Sequence, residues 1–131
     1  PKISSNVSVF PTEPEADPLR DWMESCAKLK AALPDDVYVL PGHNEPFKGA
    51  HDRLDALIHG HEIALKRLKQ RLRQEPRRAV DLFPAILGRK IGDDLVSMAT
   101  GEAIAHLNCL VERGDAVREP DEAGIIWYRA D

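Results

Sequence analysis

One histidine at the end of an apolar run is the clearest candidate for chemistry in this sequence. His43 directly follows Val37-Tyr38-Val39-Leu40-Pro41-Gly42. The β-branched and aromatic residues at 37–40 predict a short buried strand, and Gly42 permits a tight turn behind it. Ligand-binding groups gather at the carboxyl ends of strands, and a neutral imidazole is a common zinc ligand. His43 is therefore a candidate metal ligand, with a loop histidine that binds nothing as the alternative.

The remaining histidines do not complete a metal centre. His59 and His61 are two positions apart, and such residues point about 200° apart on a helix, so they cannot chelate one ion. We expect His51 to lie at the surface and His106 to take part in helix packing. We identify no catalytic residue and no cofactor-binding residue within the chain.

Two helices are predicted to flank the His43 turn. Asp17 can cap the first helix and Pro18 fits its first turn. Its apolar face follows at helical spacing, in Leu19, Trp22, Cys26, Leu29 and Leu33. The second helix is indicated by the same period between Leu54 and Leu72, with acidic residues early and basic residues late, as suits the helix dipole.

The last third of the chain predicts two shorter helices and a hairpin. Residues 79–87 suggest a short helix bent at Pro84, and residues 88–92 a turn. Asp93 or Asp94 could cap a further helix that ends before Gly114. This helix is the third before the hairpin, after those at 54–72 and 79–87. Residues 116–118 and 125–129 flank a polar loop, which predicts a β-hairpin. Helix, helix, helix, hairpin is the order of a winged helix.

Composition narrows the functional classes. The 131 residues are 43% hydrophobic and 31% charged, as in ordinary soluble proteins. No stretch is long and apolar enough for a membrane span, and no signal peptide is evident, so we expect a cytoplasmic protein. Residues 62–131 carry twelve basic and twelve acidic residues, whereas a duplex-DNA binder is usually basic. Nucleic acid is therefore not expected as a partner, and Cys26 and Cys109 are expected to be buried free thiols.

The order of these features resembles a known family of hydrolases. Residues 1–48, from Pro1 to the Leu40-Pro41-Gly42-His43 step, resemble the last part of metallo-β-lactamase-fold hydrolases. Residues from about 60 to 131 resemble the winged-helix domain that often follows that fold, in Met98 to Leu107 and in the Gly114-to-Tyr128 hairpin. The resemblance implies an α+β chain: the C-terminal piece of an αββα metallo-β-lactamase domain over residues 1–59, followed by a helical winged-helix domain over residues 60–131.

The resemblance also implies a role for His43. In such hydrolases this histidine is the final ligand of a two-metal site, typically zinc, whose other ligands come from an upstream His-x-His-x-Asp-His motif, another His and a bridging Asp. None of these lies in this chain, which does not begin with Met, so we expect it to be part of a longer polypeptide. The family's His-His-x-x-Arg-like stretch is matched only by His61, since Gly60 and Ala64 replace the other two residues.

The function implied is metal-dependent hydrolysis of an ester, a thioester or a lactone by metal-bound hydroxide, with this chain alone inactive. One alternative is a metal-dependent ribonuclease of the same fold, which would contact RNA through Lys66, Arg67 and Arg71. A second is a non-catalytic winged-helix module for nucleic-acid binding or protein interaction. The partner expected for the intact enzyme is a small-molecule substrate, with a homodimer possible and no membrane.

Overall fold

The computed structural model describes residues 7–87 and 92–131, which form a mainly helical fold with one small sheet. The long helices are α1 (Pro18–Ala32) and α2 (Ala50–Gln74). A 3₁₀ turn at Ala79–Leu82 leads into α3 (Phe83–Leu87), and another at Asp93–Leu95 leads into α4 (Val96–Glu112). Strands β1 (Val117–Pro120) and β2 (Ile126–Arg129) follow. Of the turn predicted at 88–92, residues 88–91 lie outside the described residues.

The predicted start of α1 is confirmed. The Asp17 carboxylate accepts the backbone N–H of Arg20 at 3.1 Å, and Pro18 occupies the first turn. Leu19, Met23 and Cys26 are buried, so the first turns of the helix hold the apolar face inward. Leu29 and Leu33, predicted on the same face, are 49% and 40% exposed, because the end of α1 extends past the core.

Helices α2 and α4 build the centre of the core. Nine of the 17 residues of α4 are buried, and α2 contributes Leu65, Leu68 and Leu72. The same apolar cluster contains Val7 near the beginning and Tyr128 on β2. Residues from both sides of the predicted domain boundary at 59/60 thus share one core, and the boundary falls inside α2. The division into two domains at this boundary stays a prediction.

The two ends of α4 differ from each other in how they are capped. The predicted cap by Asp93 or Asp94 is wrong, because the N-cap residue is Leu95, with no side-chain cap hydrogen bond; a 3₁₀ turn precedes the helix instead. At the other end, Gly114 takes φ of 74°. Its N–H donates to Val111 O at 2.9 Å, and that of Asp115 donates to Leu110 O at 2.8 Å. This is a Schellman motif, and it confirms the predicted helix end at Gly114.

The predicted hairpin is also confirmed. Val117 pairs with Arg129 and Pro120 with Ile126 in an antiparallel register. One carboxylate organises the loop: Asp121 accepts the backbone N–H groups of Ala123 and Ile125 and the indole N–H of Trp127, each at 2.9 Å. The order helix, helix, helix, hairpin agrees with the sequence pattern, whereas the winged-helix assignment itself stays a prediction.

The predicted buried strand at 37–40 is wrong for this structure. The segment forms a single antiparallel bridge between Val39 and Phe47, and Tyr38 and Leu40 are 62% and 74% exposed. A buried strand needs hydrogen-bonding neighbours and covered faces, and among residues 7–87 and 92–131 this segment pairs only with the chain around Phe47. Within the same ranges, no helix combines the length and the apolarity that crossing a membrane requires.

Candidate functional site

His43 lies at the tip of a closed loop between α1 and α2. The loop is closed by two backbone hydrogen bonds: Val39 N–H donates to Phe47 O at 2.8 Å, and Phe47 N–H donates to Val39 O at 3.1 Å. Next to His43, Asn44 takes φ of 70°, in the left-handed region, which asparagine tolerates better than most residues. His43 is exposed, so the loop presents an imidazole to the outside on a defined turn.

A second set of hydrogen bonds anchors this loop to the helices. The ring Nε2 of His51 donates to Leu33 O at 2.7 Å, at the end of α1. The backbone N–H of His51, in the first turn of α2, donates to Asp35 Oδ1 at 3.0 Å. The sequence predicts His51 at the surface, whereas the structure shows it partly buried, because its ring bridges the two helix ends.

The donor groups near His43 do not make a metal centre by themselves. In the part of the chain that the structure describes, no three His, Cys, Asp or Glu side chains are close enough together to hold an ion. On α2, His59 is exposed and His61 is partly buried, as expected for residues that face different sides of a helix. His43 as a metal ligand therefore stays a prediction, and the residues present do not fit a metal without further ligands.

The chain that leads into the His43 turn exposes several apolar side chains. Tyr38 and Leu40 precede the turn and are mostly exposed, and Leu29 and Leu33 at the end of α1 are about half exposed. Single exposed apolar residues are ordinary, but several along one stretch of chain are typical of a contact surface.

Two other histidines meet inside the fold. The rings of His61 on α2 and His106 on α4 lie 5.5 Å apart, centroid to centroid. His106 is 4% exposed, and its Nδ1 donates to Glu102 O at 2.8 Å. Burial lowers its pKa to about 4, although the hydrogen bond to Glu102 opposes the shift. The expectation of a helix-packing role for His106 is confirmed, and its imidazole is neutral near pH 7.

This burial predicts that the protein loses stability in mild acid. The unfolded chain protonates His106 near the ordinary pKa of 6.5, whereas the folded chain resists protonation until about pH 4. The unfolded state therefore binds more protons between these values. The contribution of His106 to the free energy of unfolding is complete above pH 6.5 and falls as the pH drops toward 4. The loss should reach up to about 3 kcal/mol. Urea denaturation across this range measures it.

A matched pair of variants separates this effect from general acid denaturation. His106→Phe should make the decline in stability between about pH 6.5 and 4 shallower, because this ring no longer titrates. A smaller decline should remain from His61, whose pKa burial also lowers. His59→Gln, at an exposed position of the same protein, should leave the decline unchanged. An equally steep decline in His106→Phe would show that this imidazole is not the titrating group.

Sequence reasoning missed one polar residue that organises the segment before α1. Asn108 on α4 is only 2% exposed. Its Nδ2 donates to the carbonyls of Pro14 and Ala16, at 2.9 and 2.8 Å, and so ties the segment before α1 to the core. An asparagine among helix-forming apolar residues gives only a weak signal, because its partners are backbone groups more than 90 residues away. The two cysteines, Cys26 and Cys109, are buried and free, as predicted.

Two solved structures resemble the whole chain. A beta-lactamase domain protein from Burkholderia ambifaria is 36% identical, with a TM-score of 0.92 over 98% of this chain. A metallo-beta-lactamase family protein from Thermus thermophilus is 25% identical, with a TM-score of 0.81 over 99% of this chain. The chain spans only 38% of the length of each of these two proteins. Among proteins of curated function, none matches the chain.

A family pattern also matches the chain directly. The pattern described as the metallo-beta-lactamase-like C-terminal domain matches residues 65–131, which is about half of the sequence and covers the end of α2, the short helices, α4 and the hairpin. With the two structural likenesses, it confirms the resemblance to the C-terminal part of this fold. The chain therefore belongs to the metallo-beta-lactamase-like C-terminal domain family.

Proposed function

We propose that this chain forms the C-terminal part of a metal-dependent hydrolase that acts on an ester, a thioester or a lactone. The observation that carries the proposal is the likeness over 98% of the chain to a beta-lactamase domain protein of greater length. Family membership supports a metal-dependent hydrolase. The narrower substrate class rests on the sequence resemblance and is part of the proposal.

His43 is proposed to supply one metal ligand, zinc being the metal typical of the family. Support comes from the loop that carries it, which two backbone hydrogen bonds close at Val39 and Phe47. The exposed Tyr38 and Leu40 beside it would be covered by the rest of the hydrolase domain, and burial of such apolar surface is favourable by about 25 cal/mol per Å². We propose that the loop docks against the part of the domain that provides the remaining ligands.

The described residues do not provide a complete metal site by themselves. Since no group of three metal-binding side chains exists among the described residues, we propose that the 131-residue chain is inactive alone. Residues 60–131, from within α2 to the hairpin, are proposed to form the winged-helix unit that packs beside the hydrolase domain.

Metal removal tests the proposal. The full-length protein is stripped with a chelator, reloaded with zinc, and assayed on a nitrophenyl ester, an acyl thioester and a lactone, with the 131-residue chain in parallel. We expect hydrolysis of at least one substrate to disappear on stripping and return with zinc, and no hydrolysis by the chain alone. Hydrolysis that persists in the stripped protein, or stoichiometric micromolar zinc binding by the chain alone, would contradict the proposal.

A ribonuclease of the same fold is the second candidate. Three basic side chains on α2, Lys66, Arg67 and Arg71, are exposed and form no ion pair with the residues that the structure describes. Exposed cations along one helix suit a phosphate backbone. Cleavage of labelled single-stranded RNA by the full-length protein, lost when these three residues are changed to Glu, would favour this candidate over the first.

A non-catalytic nucleic-acid module is supported less well. In a winged helix that reads DNA, the recognition helix lies in the major groove. Here the corresponding helix, α4, has nine of its 17 residues buried, and few side chains remain to contact base edges. Salt-dependent duplex binding by the full-length protein would nevertheless support that reading.

A further inference from the structure

A large cleft lies away from the His43 loop, beside the segment that precedes α1. It has a volume of about 810 Å³ and opens between that segment, the first turns of α4 and the hairpin. Three of its side chains are exposed although apolar: Phe10 at 70%, Met98 at 43% and Ile126 at 40%. Val9 and Ile104 also line it. Small-molecule sites typically measure roughly 300–1,000 Å³ and have mainly apolar walls.

One cation lies at the edge of this apolar cleft. Arg118 on β1 lines it, and its side chain is 30% exposed. The amide nitrogen of Asn108 donates to Pro14 O and Ala16 O. The amide oxygen of Asn108 accepts from the Arg118 guanidinium at 3.5 Å. This contact is long, and it places the guanidinium of Arg118 next to the buried amide at the cleft.

The present acidic partner of this guanidinium is easily displaced. Arg118 Nη2 pairs with Glu15 Oε1 at 2.6 Å, but the Glu15 side chain is 77% exposed. An ion pair that is open to water contributes little, since solvent screens it and the flexible carboxylate loses entropy. Glu15 can rotate into solvent without burying its charge, and this would leave a planar donor group facing the apolar walls.

We propose that this cleft binds a linear acyl carboxylate, whose head replaces Glu15 on Arg118 and whose chain lies along Phe10, Met98 and Ile126. A carboxylate matches the planar donor fork of an arginine, and such charge-assisted hydrogen bonds are stronger than neutral ones. The acyl chain covers the three exposed side chains at the same time. A ligand with the same chain but a neutral or cationic head covers the apolar side chains and does not form the charged hydrogen bonds to Arg118.

The two methionines of the sequence make a direct test possible. Met98 lines the cleft, whereas Met23 on α1 is 7% exposed and does not line it. The 131-residue chain is labelled with ¹³C-methyl methionine and titrated with decanoate below its micelle concentration. We expect the Met98 methyl signal to move saturably while the Met23 signal stays in place. Decanol and decyltrimethylammonium, with the same chain length, should bind at least roughly ten-fold more weakly.

Three variants test which residues bind the carboxylate head and the acyl chain of decanoate. Arg118→Gln should weaken decanoate binding roughly ten-fold or more and leave decanol binding unchanged. Ile126→Glu places a negative charge in the cleft and should abolish decanoate binding. Ile125→Glu is its matched control, since Ile125 is similarly exposed at 44% but does not line the cleft. An unmoved Met23 signal shows that each variant is folded.

Several outcomes would overturn the proposal. Equal shifts of both methionine signals would mean non-specific association, and equal affinity for decanoate and decanol would mean that Arg118 does not select the head. A Met98 signal that moves on dilution without ligand would mean that a second copy of the chain covers the cleft. The experiment needs no metal and no hydrolysis, so its result is independent of the proposed function.

Discussion

Replacing His43 with alanine should abolish most of the proposed hydrolase activity of the full-length protein. If the imidazole is a metal ligand, its loss removes one coordination bond directly. Even residues that only orient metal ligands typically change metal affinity or activity by 10- to 100-fold, so we expect a fall of at least about 100-fold. Zinc content by elemental analysis and kcat/KM with the best substrate, measured on the same preparation, test this expectation.

Two controls distinguish a ligand from a loop residue that supports folding. His59→Ala changes an exposed histidine on α2 and should leave both zinc content and kcat/KM within about two-fold of the original, as for surface substitutions generally. His43→Asp, which offers an oxygen ligand, should retain more zinc than His43→Ala. Full zinc content and unchanged kcat/KM in His43→Ala would remove this residue from the metal site.

Replacing Leu68 with alanine should lower the free energy of unfolding by about 3–4 kcal/mol. Leu68 is 0% exposed on α2 and belongs to the core formed with Leu65, Leu72 and Leu107. The change removes buried methyl groups and leaves a cavity that rigid neighbours on α4 fill only in part. Urea denaturation monitored by circular dichroism at neutral pH gives the difference.

Ile63→Ala on the same helix is the matched control. Ile63 is 38% exposed, so its truncation should cost less than about 1 kcal/mol. A loss below about 1 kcal/mol at Leu68 would mean that the packing of α2 against α4 is looser than the structure shows.

Several elements could be predicted from local pattern because local chemistry decides them. Asp17 and Pro18 specify the start of α1 wherever that helix lies, since the cap satisfies amides within the same turn. Gly114 ends α4 because its positive φ suits glycine. The leucine period from Leu65 to Leu72 indicates the buried face of α2 for a similar reason: a helix that buries one side repeats its apolar residues with the helical period.

The segment around His43 shows where local pattern fails. Residues 37–40 have the composition of a buried strand, but they form one bridge and are largely exposed. A strand obtains its hydrogen bonds from neighbours that are distant in sequence, so composition indicates the preference of a segment and not its pairing. The same limit applies to His43, whose candidate role depends on ligands from elsewhere.

The sequence by itself determined the helices, the hairpin and the family of this protein, because each rests on residues a few positions apart or on their order. Only the tertiary structure showed that Asn108 contacts Arg118 beside an apolar cleft, and that the rings of His61 and His106 lie close together. These arrangements join residues far apart in the chain, and their energies depend on burial and on distance, which exist only once the chain has folded.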